Sequence, residues 1–80
     1  MNRAQILWRC RRGMLELDLL LKPYAEENLA AMSAEQLQLF LVLLEYSDQS
    51  LLEILMGRKP AKNTQLTELA NTIQNAAKSY

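Results

Sequence analysis

Leucines recur at helical spacing along almost the whole chain, and very little in the sequence interrupts them. Leucine supplies 17 of the 80 residues, against only two Gly and two Pro. Leucine favours helix, and no apolar-polar alternation lasts long enough to specify a sheet. The longest unbroken apolar run, residues 39–44, is six residues. A membrane-crossing helix needs roughly 20, so these helices are expected to bury their stripes against one another. The few breaks are closely spaced, and short connections imply adjacent helices. The expectation is an all-α fold: a compact five-helix bundle, mostly antiparallel neighbours, in a single domain over residues 1–80.

Local signals place the helices. The first is expected over residues 3–12, with Ile6, Leu7 and Cys10 on one face, Arg11 and Arg12 in its last turn, and Gly13 as its left-handed cap. A second starts near Met14 and carries Leu17, Leu20, Leu21 and Tyr24. Pro23 is expected to kink or break it, with helix resuming through Ala31. Ser33-Ala34-Glu35-Gln36 spells a capping box for a third helix over residues 34–46, apolar nearly all round and therefore expected at the centre. Ser47 or Asp48 caps a fourth that ends at Gly57. Asn63 caps a fifth with Leu66, Leu69, Ala70, Ile73 and Ala77 in line.

Composition removes whole classes of chemistry. There is no histidine, so imidazole bases and imidazole metal ligands are excluded. A single cysteine excludes an internal disulfide, a Cys-x-x-Cys pair and a thiolate zinc cage. One unpaired thiol suits a reducing compartment, and no signal-peptide core follows the basic start, so a cytoplasmic location is expected. Nine basic and nine acidic residues cancel, but unevenly. Residues 1–12 hold four Arg and no acid, residues 13–57 are net −7, and residues 58–80 are net +3. The surface is therefore expected to be polar end to end.

Candidate chemistry is sparse. Glu26-Glu27 reads as a solvated helix face, because neighbouring residues on a helix point apart. Gly13 and Gly57 are isolated, so there is no glycine-rich phosphate loop. Cys10, beside Arg9, Arg11 and Arg12, is either an activated thiol or a small buried hydrophobe, and its place on the inward stripe favours burial. Asp48-Gln49-Ser50-Leu51 is similar to the attachment serine of acyl carrier proteins, but Gln49 separates acid from serine and an ordinary cap explains both. Trp8-Arg9-Cys10-Arg11-Arg12 combines cations with a stacking ring, yet no second basic element completes a nucleic-acid groove.

The stretch from Arg11 to Asp18 is the most informative. Glycine leaves a spot without a side chain, where another backbone can approach closely. Arg12 offers a planar fork of donors, and Glu16 lies one helical turn beyond Gly13. Such a spot suits docking to a protein surface. The alternative is an ordinary Arg12–Glu16 pair with Gly13 as a simple cap.

The run Trp8-Arg9-Cys10-Arg11-Arg12-Gly13-Met14-Leu15-Glu16-Leu17-Asp18 resembles the signature of the SdhE-type flavinylation factors, the succinate dehydrogenase assembly factor family. The family hallmark Arg-Gly-x-x-Glu is matched by Arg12, Gly13 and Glu16, and the likeness extends from about Arg3 to Ile73 through Pro23-Tyr24, Leu43-Leu44-Glu45 with Asp48, and the loop from Gly57 to Pro60. Ile54 stands where the family commonly has tryptophan, and Tyr24 where phenylalanine is more usual. Both are packing positions. The resemblance implies a non-catalytic five-helix protein that binds the flavoprotein subunit of succinate dehydrogenase, and in many bacteria that of fumarate reductase. It promotes covalent attachment of FAD to a histidine of that client. Arg12, Gly13 and Glu16 would meet the client, with Arg11, Trp8 and Asp18 as rim or brace. No catalytic, cofactor-binding or metal residue is implied: FAD belongs to the client and is not held stably here, and neither nucleic acid nor membrane insertion is expected. The same patch would equally serve an antitoxin-like or other small protein-binding module.

Overall fold

A computed structural model describes residues 2–78. Helix α1 (Arg3–Arg9) is followed by α2 (Leu15–Asn28), a 3-10 turn over Leu29–Ala31, α3 (Ala34–Leu43), α4 (Asp48–Leu55) and α5 (Thr64–Ala77). The fold is all-α, with no strand among the described residues.

Side-chain caps start four of the helices, each satisfying backbone donors that have no partner inside the helix. Ser33 and Gln36 form the expected capping box. Asn63 Oδ1 accepts from the Leu66 N–H, and Ser47 Oγ from that of Ser50. Asn2 and Gln5 form a further capping box on α1. Because Ser47 takes the capping role, Asp48 becomes the first residue of α4 and its carboxylate is available for other work.

Three boundaries depart from the sequence expectation. Helix α1 stops at Arg9 with Cys10 as its cap, so Gly13 lies in the connection beyond the helix instead of terminating it. Pro23 neither breaks nor ends α2, which runs through it to Asn28. Proline removes the donor that would reach the Leu19 carbonyl, and Leu19 is 61% exposed, so water can replace that bond. Helix α3 ends at Leu43 and not near Tyr46.

The central helix is α5, not α3. It packs against α2, α3 and α4, with Leu66, Ala70 and Ile73 fully buried along one stripe. Helix α3 buries only Phe40 and Leu43 fully, while Leu39, Leu41 and Val42 stay at the edge of the core. The core joins these to Leu17, Leu21, Leu51 and Leu55, and Tyr24 and Phe40 meet at tilted rings 6.1 Å apart. Ala25 on α2 and Ala70 on α5 are both fully buried, short side chains that permit close helix approach. This packing fixes the α1–α2 connection against the turn between α3 and α4.

Candidate functional site

The connection between α1 and α2 is held from two directions. The Arg12 N–H donates to Asp18 Oδ1 at 2.8 Å, so an acid in the first turn of α2 grips the backbone immediately before Gly13. The Arg12 side chain turns the other way. Its Nε donates to Asp48 Oδ1 at 2.8 Å, and its two terminal nitrogens donate to the Leu44 and Tyr46 carbonyls at 2.6 Å each, one of them also reaching Arg9 O at 3.5 Å. A planar guanidinium is the side chain that can satisfy several acceptors at once.

The electrostatics explain why this works. Leu44 caps the C-terminus of α3, where carbonyls lack partners and favour a cation. Asp48 opens α4, where a negative charge is favoured. The guanidinium sits between the two, its side chain only 15% exposed.

Arg12 and Glu16 are therefore not an ion pair. The arginine is clasped to the α3–α4 turn, while Glu16 is exposed and makes no hydrogen bond or ion pair with any described residue. Arg12 acts from inside the corner and Glu16 from outside it.

Gly13 sits between them at φ +78°, and a Cβ placed there would meet nothing within 4 Å. It is exposed, as a docking notch requires. Trp8 is 68% exposed, and the Arg11 guanidinium lies over its ring, 5.7 Å from the centroid. Of the six residues singled out by sequence, Trp8, Arg11, Gly13 and Glu16 thus face outward, and Arg12 and Asp18 brace the backbone from behind.

Two exposed leucines and the acceptors of Arg12 had not been singled out as parts of the site. Leu15 and Leu19, 68% and 61% exposed, lie one turn apart on α2. Their signal was present, since both fall off the buried stripe of Leu17, Leu21 and Tyr24. The Arg12 acceptors on residues 44–48 had no local signal. With Trp8, the two leucines place three of the four exposed large hydrophobic side chains among the described residues within six residues of Gly13.

Cys10 behaves as a buried hydrophobe and not as an activated thiol. It is fully inaccessible, and burial pushes its pKa from 9.0 up to about 11 although Arg12 and Arg9 pull the other way. Among the described residues no group of His, Cys, Asp or Glu is placed to hold a metal ion, and no helix is long and apolar enough to cross a membrane.

Residues 4–77 match the family model described as flavinator of succinate dehydrogenase. The chain belongs to this family. It is 40% identical over 74 residues, 92% of either chain, to the FAD assembly factor SdhE of Legionella pneumophila (strain Paris). The FAD assembly factor SdhE of Yersinia pseudotuberculosis serotype I is 36% identical over 98% of this chain and 89% of its own. That of Shewanella oneidensis is 36% identical over 96% and 94%.

Proposed function

We propose that this protein is an assembly factor that docks on the flavoprotein subunit of succinate dehydrogenase through the Gly13 corner and promotes covalent attachment of FAD there. The observation that carries this reading is the open, rigidly braced glycine of the family motif, flanked by exposed Trp8, Leu15 and Leu19. Exposed aromatic and aliphatic side chains concentrated at one place mark interaction surfaces.

The protein is a helper and not a catalyst. The bond to the flavin forms between the cofactor and a histidine of the client, and this chain, without a histidine, has no imidazole to compete for it. Docking favours the client arrangement in which that side chain faces the isoalloxazine ring, since binding one conformer better than another shifts the population toward it. Gly13 accepts the client's backbone at close range. Glu16 offers an unengaged carboxylate, Arg11 and Trp8 form the rim, and Arg12 and Asp18 hold the corner in shape. The flavoprotein of fumarate reductase, with the same cofactor requirement, is a second client. FAD stays with the client throughout: the two glycines are isolated and provide no dinucleotide-binding loop.

Co-expressing the client with Gly13→Arg and reading flavin fluorescence in a denaturing gel tests the docking. The expected result is near-complete loss of covalent flavin, and undiminished flavin would overturn the reading. Titration of the isolated protein with FAD is expected to show no submicromolar site.

A further inference from the structure

We infer that Asp48, 36 residues from Arg12, is a positioning residue of the docking site: it holds the Gly13 corner in its binding shape by fixing the Arg12 guanidinium. This rests on the docking role proposed above and adds to it a member contributed by a different part of the fold.

The geometry leads there in steps. No backbone hydrogen bond to a described residue fixes the direction of Gly13, and the space where a Cβ would stand is open. Its position is inherited from Arg12, whose backbone N–H is held by Asp18 and whose side chain is held by the α3–α4 turn. Of the acceptors on that turn, two are backbone carbonyls that would accept from water equally well. Asp48 supplies the only charged one, at 2.8 Å, and this is the only ion pair that Arg12 makes among the described residues. A mostly buried guanidinium without its counter-charge is drawn toward water. The outward swing would carry the Arg12 backbone, and Gly13 with it. Asp48 is well placed to resist this because the Ser47 cap and the start of α4 fix its own backbone. The turn is tied down further by Tyr46, whose carbonyl accepts from Arg12 and whose hydroxyl accepts from the Lys62 N–H at 3.0 Å.

A positioning role acts through the Arg12 guanidinium, whereas a charge that met the client directly would act without it. Three variants grade the loss, and a cycle with Arg12 separates the two roles. Asp48→Asn keeps the length and an oxygen facing Nε, Asp48→Glu keeps the charge but lengthens the arm by one methylene, and Asp48→Ala removes both. Affinity for the purified flavoprotein subunit would be measured for each, with thermal unfolding alongside. Asp48→Asn loses the counter-charge and Asp48→Glu loses the fit, so both are expected to bind between wild type and Asp48→Ala, with Ala weakened about tenfold or more, as for loss of one charge-assisted bond.

Since Asp48 acts through Arg12, Arg12→Ala combined with Asp48→Ala is expected to bind within about twofold of Arg12→Ala alone, a strongly non-additive cycle. Wild-type affinity in both the Ala and Asn variants would overturn the inference, as would losses that multiply in the double variant. If Asp48→Ala does not fold, Asp48→Asn, alone and combined with Arg12→Ala, takes its place in the cycle. Gly13→Arg is run in the same series. Full binding by Gly13→Arg removes the docking reading itself, while its loss beside unchanged Asp48 variants removes only the role of Asp48.

Discussion

Gly13 turns at φ +78° and Gly57 at φ +76°, so the two corners ask the same thing of the backbone and are built differently. At Gly57 the bonds are local: its N–H donates to Ile54 O at 3.1 Å, and the Arg58 N–H to Glu53 O at 2.8 Å, which closes the end of α4 as a glycine C-cap. The Gln74 side chain lies 4.0 Å from where a Cβ would stand. At Gly13 the nearest helix has already ended, and the corner is held by side chains from α2 and from the α3–α4 turn. A positive φ accounts for glycine at both sites. Only the long-range clasp, the open space and the neighbouring exposed Trp8, Leu15 and Leu19 distinguish a docking corner from a helix end.

Arginine substitution gives the sharpest contrast. Gly13→Arg and Gly57→Arg should each lose about 1–2 kcal/mol of stability from the left-handed backbone, seen as a similar fall in Tm. Covalent flavin on the co-expressed client should vanish for Gly13→Arg and persist for Gly57→Arg. Equal flavin in both variants would erase the distinction.

Next in size is Arg12→Ala, which removes the clasp and should cost about 2 kcal/mol, the typical worth of hydrogen bonds to a charged group. That corresponds to roughly 10 °C in Tm for a domain this small. Arg58→Ala, beside the other glycine, should stay within about 0.5 kcal/mol, because its anchoring bond uses the backbone. Comparable losses from the two would mean that the Gly13 corner has no special brace.

Trp8→Ala sharpens the comparison on the binding side. An exposed ring adds little to folding, so stability should change by less than about 0.5 kcal/mol, while client affinity should drop about tenfold as for an aromatic anchor. Met56→Ala, the exposed hydrophobic side chain next to Gly57, should change neither.

The remaining expected effect on stability is confined to alkaline pH and concerns Cys10. Its raised pKa means that the folded chain holds the thiol proton more tightly than the unfolded chain does. Its contribution to stability is complete below pH 9 and declines as pH rises toward about 11. Urea unfolding of wild type and Cys10→Ala across that window should show wild type losing the additional stability. Parallel curves would contradict this.

How far the sequence foretold the structure follows from the range of each interaction. Ser33 with Gln36, Asn63 and Ser47 announce helix starts because a cap and its partner lie three residues apart. Asn2 and Gln5 carried the same kind of signal on α1. The last three helix starts were legible for that reason, and the first two helices from their apolar faces, as was the α5 stripe of Leu66, Ala70 and Ile73. The motif residues were also visible, but their division of labour was not. Glu16 is the helical neighbour that spacing offers to Arg12, yet Asp48 is the partner, and nothing local encodes that choice. The same applies to the early end of α1 and to α5 at the centre in place of α3, both settled by contacts between distant segments. Pro23 misled because its usual effect is relieved by solvent on an exposed face.

Backbone hydrogen exchange of this protein, alone and bound to the unflavinylated flavoprotein subunit, tests the central claim most directly. Docking through the first glycine corner predicts new protection from Trp8 through Leu19, including the Gly13 amide, with the amides around Gly57 exchanging as before. New protection centred on Gly57, with Gly13 unchanged, would contradict it.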